Sequence, residues 1–182
     1  MKTQSGPVRA ALLLAASSVL AMGAAFASDS ARHEAQAMEK AKLSLTEAIR
    51  VAERQGNGQA ISAEYEFKNG NPAYYEVKVL RNDGQKLTQF ELDPNTGQVK
   101  EVKDEKFEKM FTRLKPTAIQ NAPTSLTRAI TTAETRSGGK AKAAEVNRDG
   151  DQLQYEVKVV KLDGGSETLK INGSDGKVAS AK

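Results

Sequence analysis

Beyond residue 42 the apolar positions fall first at helical and then at strand spacing. Leu45, Ala48, Ile49 and Ala52 stand at i, i+3, i+4 and i+7, which gathers them on one stripe of a helix and predicts that the stripe faces a core. Ser44 precedes the stripe, with Glu47 three residues on, so the helix start carries a reciprocal capping box. The spacing then drops to two. Ile61, Ala63, Tyr65 and Phe67 alternate with Ser62, Glu64, Glu66 and Lys68, the pattern of a strand buried on one face only. Asn69-Gly70 supplies the positive φ angles of a tight hairpin. In the next strand Tyr75, Val77 and Val79 point inward, and Tyr74, Glu76 and Lys78 outward. Asn82-Asp83-Gly84 turns into a third strand with Thr88, Phe90 and Leu92 inward, and Asp93-Pro94-Asn95-Thr96-Gly97 turns into a short piece through Val99.

The same order then recurs. Ser44 to Glu53 lies over Ser125 to Glu134 with seven of ten positions identical, and Tyr75-Glu76-Val77-Lys78-Val79 returns unchanged as Tyr155-Glu156-Val157-Lys158-Val159. Ala60, Ala63, Glu64 and Gly70 match Ala141, Ala144, Glu145 and Gly150, and Asp83-Gly84, Gly97 and Val99 match Asp163-Gly164, Gly176 and Val178. The offset drifts from 81 to 79, with the losses at or near turns, as duplication of a folded unit requires. Leu126, Ala129, Ile130 and Ala133 repeat the helical stripe, but Arg128 replaces the capping-box glutamate, so the second helix start is expected to be the weaker. Leu169 and Ile171 take the places of Phe90 and Leu92.

Each copy is therefore predicted to be α+β, one helix packed on a three- to four-stranded antiparallel β-meander. A unit of about 60 residues is marginal alone, so the two tandem modules are expected to pack on each other. Phe107, Met110, Phe111 and Leu114 form a further amphipathic stripe, ended by Pro116, that suits the seam. Residues 117–124 read as a polar linker. Residues 28–42, rich in Ala, Glu and Lys, read as a loose tail whose end extends the first helix. The resulting division is 28–42 tail, 43–102 module 1, 103–124 amphipathic helix and linker, and 125–182 module 2.

Lys2 and Arg9 precede a charge-free apolar run over residues 10–22, closed by Ala25-Phe26-Ala27 and the polar Ser28-Asp29-Ser30. This is the plan of a signal peptide, residues 1–27, with cleavage after Ala27. The run is shorter than the roughly 20 residues a membrane-spanning helix needs. The chain has no cysteine, which excludes disulfides, thiolate metal sites and a lipid-modified cysteine. A disulfide-free exported protein is expected in a bacterial periplasm or secreted. Loss of residues 1–27 lowers the formal net charge from +4 to +2. With both signs interleaved, no nucleic-acid partner is expected, and no membrane span remains after cleavage.

The Leu-Thr-x-Ala-Ile helix core, the Tyr-Glu-Val-Lys-Val strand and the closing Asp-x-x-Thr-Gly-x-Val turn together resemble the PepSY domain family, over both copies. The resemblance implies a helix-plus-antiparallel-sheet module of the kind found in propeptides of secreted metallopeptidases and in envelope proteins, with an inhibitory or regulatory role toward peptidases. It supplies no catalytic residue. No peptidase follows the modules in this sequence, so an inhibitory role would act on a separate chain.

Candidate chemistry is sparse. His33 is the single histidine, without the partners a zinc site or a catalytic dyad needs. No Gly-x-Ser-x-Gly elbow occurs. Asp93-x-Asn95-x-Gly97 lacks the glycine and glutamate spacing of a calcium loop and suits a tight turn. No cofactor, metal site or enzymatic activity is expected. The candidate binding residues are the outward Tyr74, Glu76 and Lys78 and their repeats Glu156 and Lys158, which serve equally well as a solvated face. Two functions remain open: an exported non-enzymatic module that binds a protein or peptide partner such as a peptidase, by its sheet face or an exposed edge, and a structural or stress-response envelope protein with no specific client.

Overall fold

A computed structural model describes residues 21–67, 72–106 and 115–181, with the side chains of 21–28 and 105–106 left aside. In chain order the elements are α1 (Ala21–Lys40), α2 (Leu45–Gly56), β1 (Gly58–Glu66), β2 (Tyr74–Arg81), β3 (Lys86–Leu92), β4 (Val99–Lys106), α3 (Pro116–Gln120), α4 (Leu126–Ser137), β5 (Lys140–Asp149), β6 (Gln152–Val160), β7 (Ser166–Asn172) and β8 (Val178–Ala181). The predicted hairpin at Asn69-Gly70 and the stripe of Phe107, Met110, Phe111 and Leu114 lie outside the described residues.

The eight strands form one antiparallel sheet in the order β4-β3-β2-β1-β5-β6-β7-β8. Each half is a meander, and the halves join where β1 pairs with β5. There Ser62 faces Glu145, Ala63 faces Ala144 and Glu64 faces Ala143. Ala63 and Ala144 are repeat equivalents, as are Ser62 and Ala143, and Glu64 and Glu145. The seam is thus a local two-fold axis through the Ala63–Ala144 pair, the self-complementary arrangement of a symmetric dimer joined in one chain. Backbone pairing of the two innermost strands leaves β4 and β8 as the edges among the described residues.

The helices cover one face. Leu45, Ala48, Ile49 and Ala52 of α2 and Leu126, Ala129, Ile130 and Ala133 of α4 are all buried, as the helical stripe predicts. They meet Val77, Val79, Phe90 and Leu92 in one half and Val157, Val159, Leu169 and Ile171 in the other, in a single apolar core. Tyr65 and Tyr75 meet edge to face with centroids 5.3 Å apart.

Two elements go beyond one helix per module. Residues expected as a loose tail are helical as α1, and a break over residues 41–44 keeps α1 separate from α2. Its Ala35 and Met38 are buried in the common core. Its polar side reaches the second module, with Glu34 at 2.8 Å from Lys142, Glu39 at 2.9 Å from Lys140, and Arg32 Nε donating to the Asp163 carbonyl at 3.0 Å. In this alanine-rich segment the buried stripe among the described residues is only Ala35 and Met38. In the linker, Pro116 opens α3, where its fixed φ and missing N–H suit a first turn, and Ile119 is buried.

Candidate functional site

The open face of the sheet carries a groove of about 590 Å³ astride the seam. Its shape follows from side-chain size. Ser62 and Ala143 form a low floor on β1 and β5, with only backbone at Ala63 and Ala144, whose side chains face the core, and the longer Glu76, Lys78, Glu156 and Lys158 on β2 and β6 form the flanks, with Glu64 and Glu145 between them. Four of the five candidate binding residues therefore converge here from both copies. Tyr74 does not: it pairs with Glu66 at the far end of β2 and is half-buried outside the groove.

Strand register arranges these residues in two rows across the sheet. One runs Lys78, Ser62, Glu145, Glu156, and the other Glu76, Glu64, Ala143, Lys158. The local two-fold exchanges the rows. Each row sets two glutamates directly opposite each other, Glu145 with Glu156 and Glu64 with Glu76, a placement that costs stability in a sheet. Module 1 continues its row outward through Glu91 and Glu101.

Cations of the neighbouring row offset part of this repulsion. Lys78 lies 3.6 Å from Glu76, which also accepts a hydrogen bond from Gln89 Nε2 at 3.0 Å. Lys103 lies 3.0 Å from Glu101 and 3.8 Å from Glu91. Among the described residues no cation comes within ion-pair distance of Glu64 or Glu145. Partial desolvation against the sheet, then the carboxylates of Glu66 and Glu76, push the Glu64 carboxyl above the usual range, with Lys142 and Lys158 opposing at longer range. Desolvation and then Glu156 do the same to Glu145.

The motifs weighed in the sequence have plainer settings. Asp93 Oδ1 accepts from the Asn95 and Thr96 backbone N–H groups at 2.8 and 3.1 Å, and Oδ2 lies 3.0 Å from Lys100. His33 is exposed on α1. Among the described residues no group of three or more His, Cys, Asp or Glu is arranged to hold a metal ion, and no helix is long and apolar enough to cross a membrane. The sequence reading missed Ser62, Ala143, Glu64 and Glu145 as groove residues. The Glu64–Glu145 identity was visible, but only the β1–β5 pairing makes those two residues neighbours.

Two solved structures resemble the chain distantly. One is a crystal structure of a Clostridium difficile 630 protein provisionally described as a lipoprotein, with 21% identity and a TM-score of 0.47 over 79% of this chain and 94% of that one. The other is the YpmB protein from Bacillus subtilis, with 17% identity and a TM-score of 0.32 over 74% and 94%. No curated protein matches the sequence. Residues 42–103 and 124–182, most of the chain and one segment for each half of the sheet, match the peptidase propeptide and YPEB domain, and the protein belongs to this PepSY family as a tandem member.

Proposed function

We propose that this chain is an exported, non-enzymatic binding protein whose two PepSY modules offer one shared groove to a protein or peptide partner, with an extracytoplasmic peptidase as the leading candidate. The observation that carries the reading is the convergence of Glu76, Lys78, Glu156 and Lys158 on that groove across the seam. A solvated face needs charge but no particular register. Here the same charges recur at equivalent points about a two-fold axis, including glutamate pairs that the fold alone disfavours. The family's occurrence in peptidase propeptides supplies the partner class.

The test is capture from periplasmic extract by immobilised residues 28–182 and by the Glu76→Lys/Glu156→Lys variant. The reading expects a reproducible partner that the variant loses while its melting temperature stays close to wild type. Capture unchanged by the variant would remove the groove from the account. No partner at all would favour an envelope protein without a specific client.

A further inference from the structure

The charges around the seam specify more than a general partner. The groove holds four carboxylates, on Glu64, Glu76, Glu145 and Glu156, against two ammonium groups, on Lys78 and Lys158. Lys78 already lies beside Glu76. The excess negative charge therefore centres on Glu64 and Glu145, both exposed on the open face. Because Glu64 faces Ala143, and Glu145 stands two residues further along β5, the two side chains are diagonal neighbours, about 7–8 Å apart. Alternate side chains of an extended peptide point to one side about 6.6–6.8 Å apart. The two spacings match.

We infer that the groove takes an extended peptide segment with basic residues at alternate positions, one ammonium or guanidinium group against Glu64 and the other against Glu145. This rests on the binding role proposed above and names its ligand chemistry. Charge complementarity selects the occupant: the cations relieve the Glu64–Glu76 and Glu145–Glu156 repulsions that the empty sheet bears in both copies. The low floor of Ser62 and Ala143, with only backbone at Ala63 and Ala144, leaves room for a peptide backbone to lie over the seam. The two-fold relation adds a second feature. Rotation about the axis exchanges Glu64 with Glu145, so a basic-x-basic segment meets the same pair of carboxylates in either chain direction.

Isothermal titration of the mature chain with a capped peptide containing Lys-Ala-Lys, flanked by glycine and alanine, tests this. The inference expects binding that weakens as salt rises and as pH falls through the raised carboxyl range of the two glutamates. It expects roughly tenfold weaker binding to the Glu64→Gln/Glu145→Gln variant, as for two exposed ion pairs. Each single variant should carry a similar share. The reversed-sequence peptide should bind within about twofold of its parent, whereas adjacent lysines, which an extended chain sends to opposite sides, should bind several-fold more weakly. Equal affinity for adjacent and alternate lysines, indifference to the glutamine substitutions, or tighter binding of free 1,5-diaminopentane than of the peptide would each overturn it. If no basic peptide binds but a captured protein still depends on Glu76 and Glu156, this inference fails and the broader binding role stands. If neither occurs, both fail.

Discussion

Tyr75 and Tyr155 do the same work in each copy. Tyr75 donates its hydroxyl proton to the Leu43 carbonyl at 2.6 Å, and Tyr155 donates to the Thr124 carbonyl. The backbone N–H of Leu43 in turn donates to Pro94 O at 2.9 Å, and that of Thr124 to Gly173 O at 3.2 Å. The residue just before each helix cap is thus held by a strand tyrosine on one side and by the last turn of the meander on the other. Burial pushes the Tyr155 hydroxyl up to about 12, and Tyr75 still further. Neutral tyrosine is the folded form, so this stability is complete below the ordinary tyrosine value near 10 and is lost as pH rises through the folded value. Tyr155→Phe should lower unfolding free energy by about 1–2 kcal/mol at neutral pH and flatten the alkaline loss, both read by urea denaturation at several pH values. Asp93 offers the acid counterpart. Hydrogen bonds from Asn95, then the Lys100 ammonium and the Thr96 N–H, hold its carboxyl at about 2. Its stabilisation is present above the ordinary aspartate value and is lost as pH falls toward 2. The second copy has Asn172 at this position, accepting from Ser174 N at 2.9 Å. Asp93→Asn should therefore keep the turn at pH 7 and remove its acid sensitivity. A variant that still loses stability over the same acid window would contradict this.

At the scale of elements, caps and strand faces were legible because each depends on neighbours within a few residues. Ser44 and Glu47 close the expected capping box, with Ser44 N donating to Glu47 Oε2 at 2.7 Å and Glu47 N to Ser44 Oγ at 3.3 Å. Ser125 accepts from Arg128 N at 3.2 Å without a returning carboxylate. Arg128→Glu should complete the box and stabilise the protein by about 0.5–1 kcal/mol, measured as a rise in the urea midpoint without a change in slope. Less legible was the role of Glu53 and Glu134, identical in the aligned helices. Each reaches from its helix to the first strand and accepts the backbone N–H of Ala60 or Ala141, both at 2.9 Å. Those amides sit at the irregularity where β1 and β5 each shift register, and a bulge leaves an N–H that the ladder does not use. Glu134→Gln should be tolerated better than Glu134→Ala, which leaves the amide unpaired at a cost of about 1–3 kcal/mol. The helix α1 was misread for a related reason: its buried face is Ala35 and Met38, too sparse a stripe to stand out until the surface it covers is known.

For the whole molecule, the duplication itself was plain in the sequence, but the way the copies join was not. Strand pairing between Ser62–Glu64 and Ala143–Glu145 involves small and charged residues that carry no apolar signal, and it depends on residues about 80 apart. The amphipathic segment that suits a seam lies outside the described residues, and the described contact is main-chain pairing with one core beneath it. That junction also decides the candidate site, since residues read as two separate outward pairs become the two sides of one groove. With a shared core and α1 linked by Glu34 and Glu39 to the second half, unfolding should be a single cooperative transition, with calorimetric and van't Hoff enthalpies equal. Two resolved transitions would separate the modules. The most direct test of the joined sheet uses the absence of native cysteine. Ser62→Cys/Glu145→Cys places two thiols on directly opposed residues, whereas Ser62→Cys/Asp149→Cys sets the second thiol four residues, roughly 13 Å, further along β5. Mild oxidation of the monomer should close the first pair to an intramolecular disulfide and leave the second largely open. Equal closure of both pairs, or closure of neither in folded protein, would contradict a continuous sheet and the shared groove built on it.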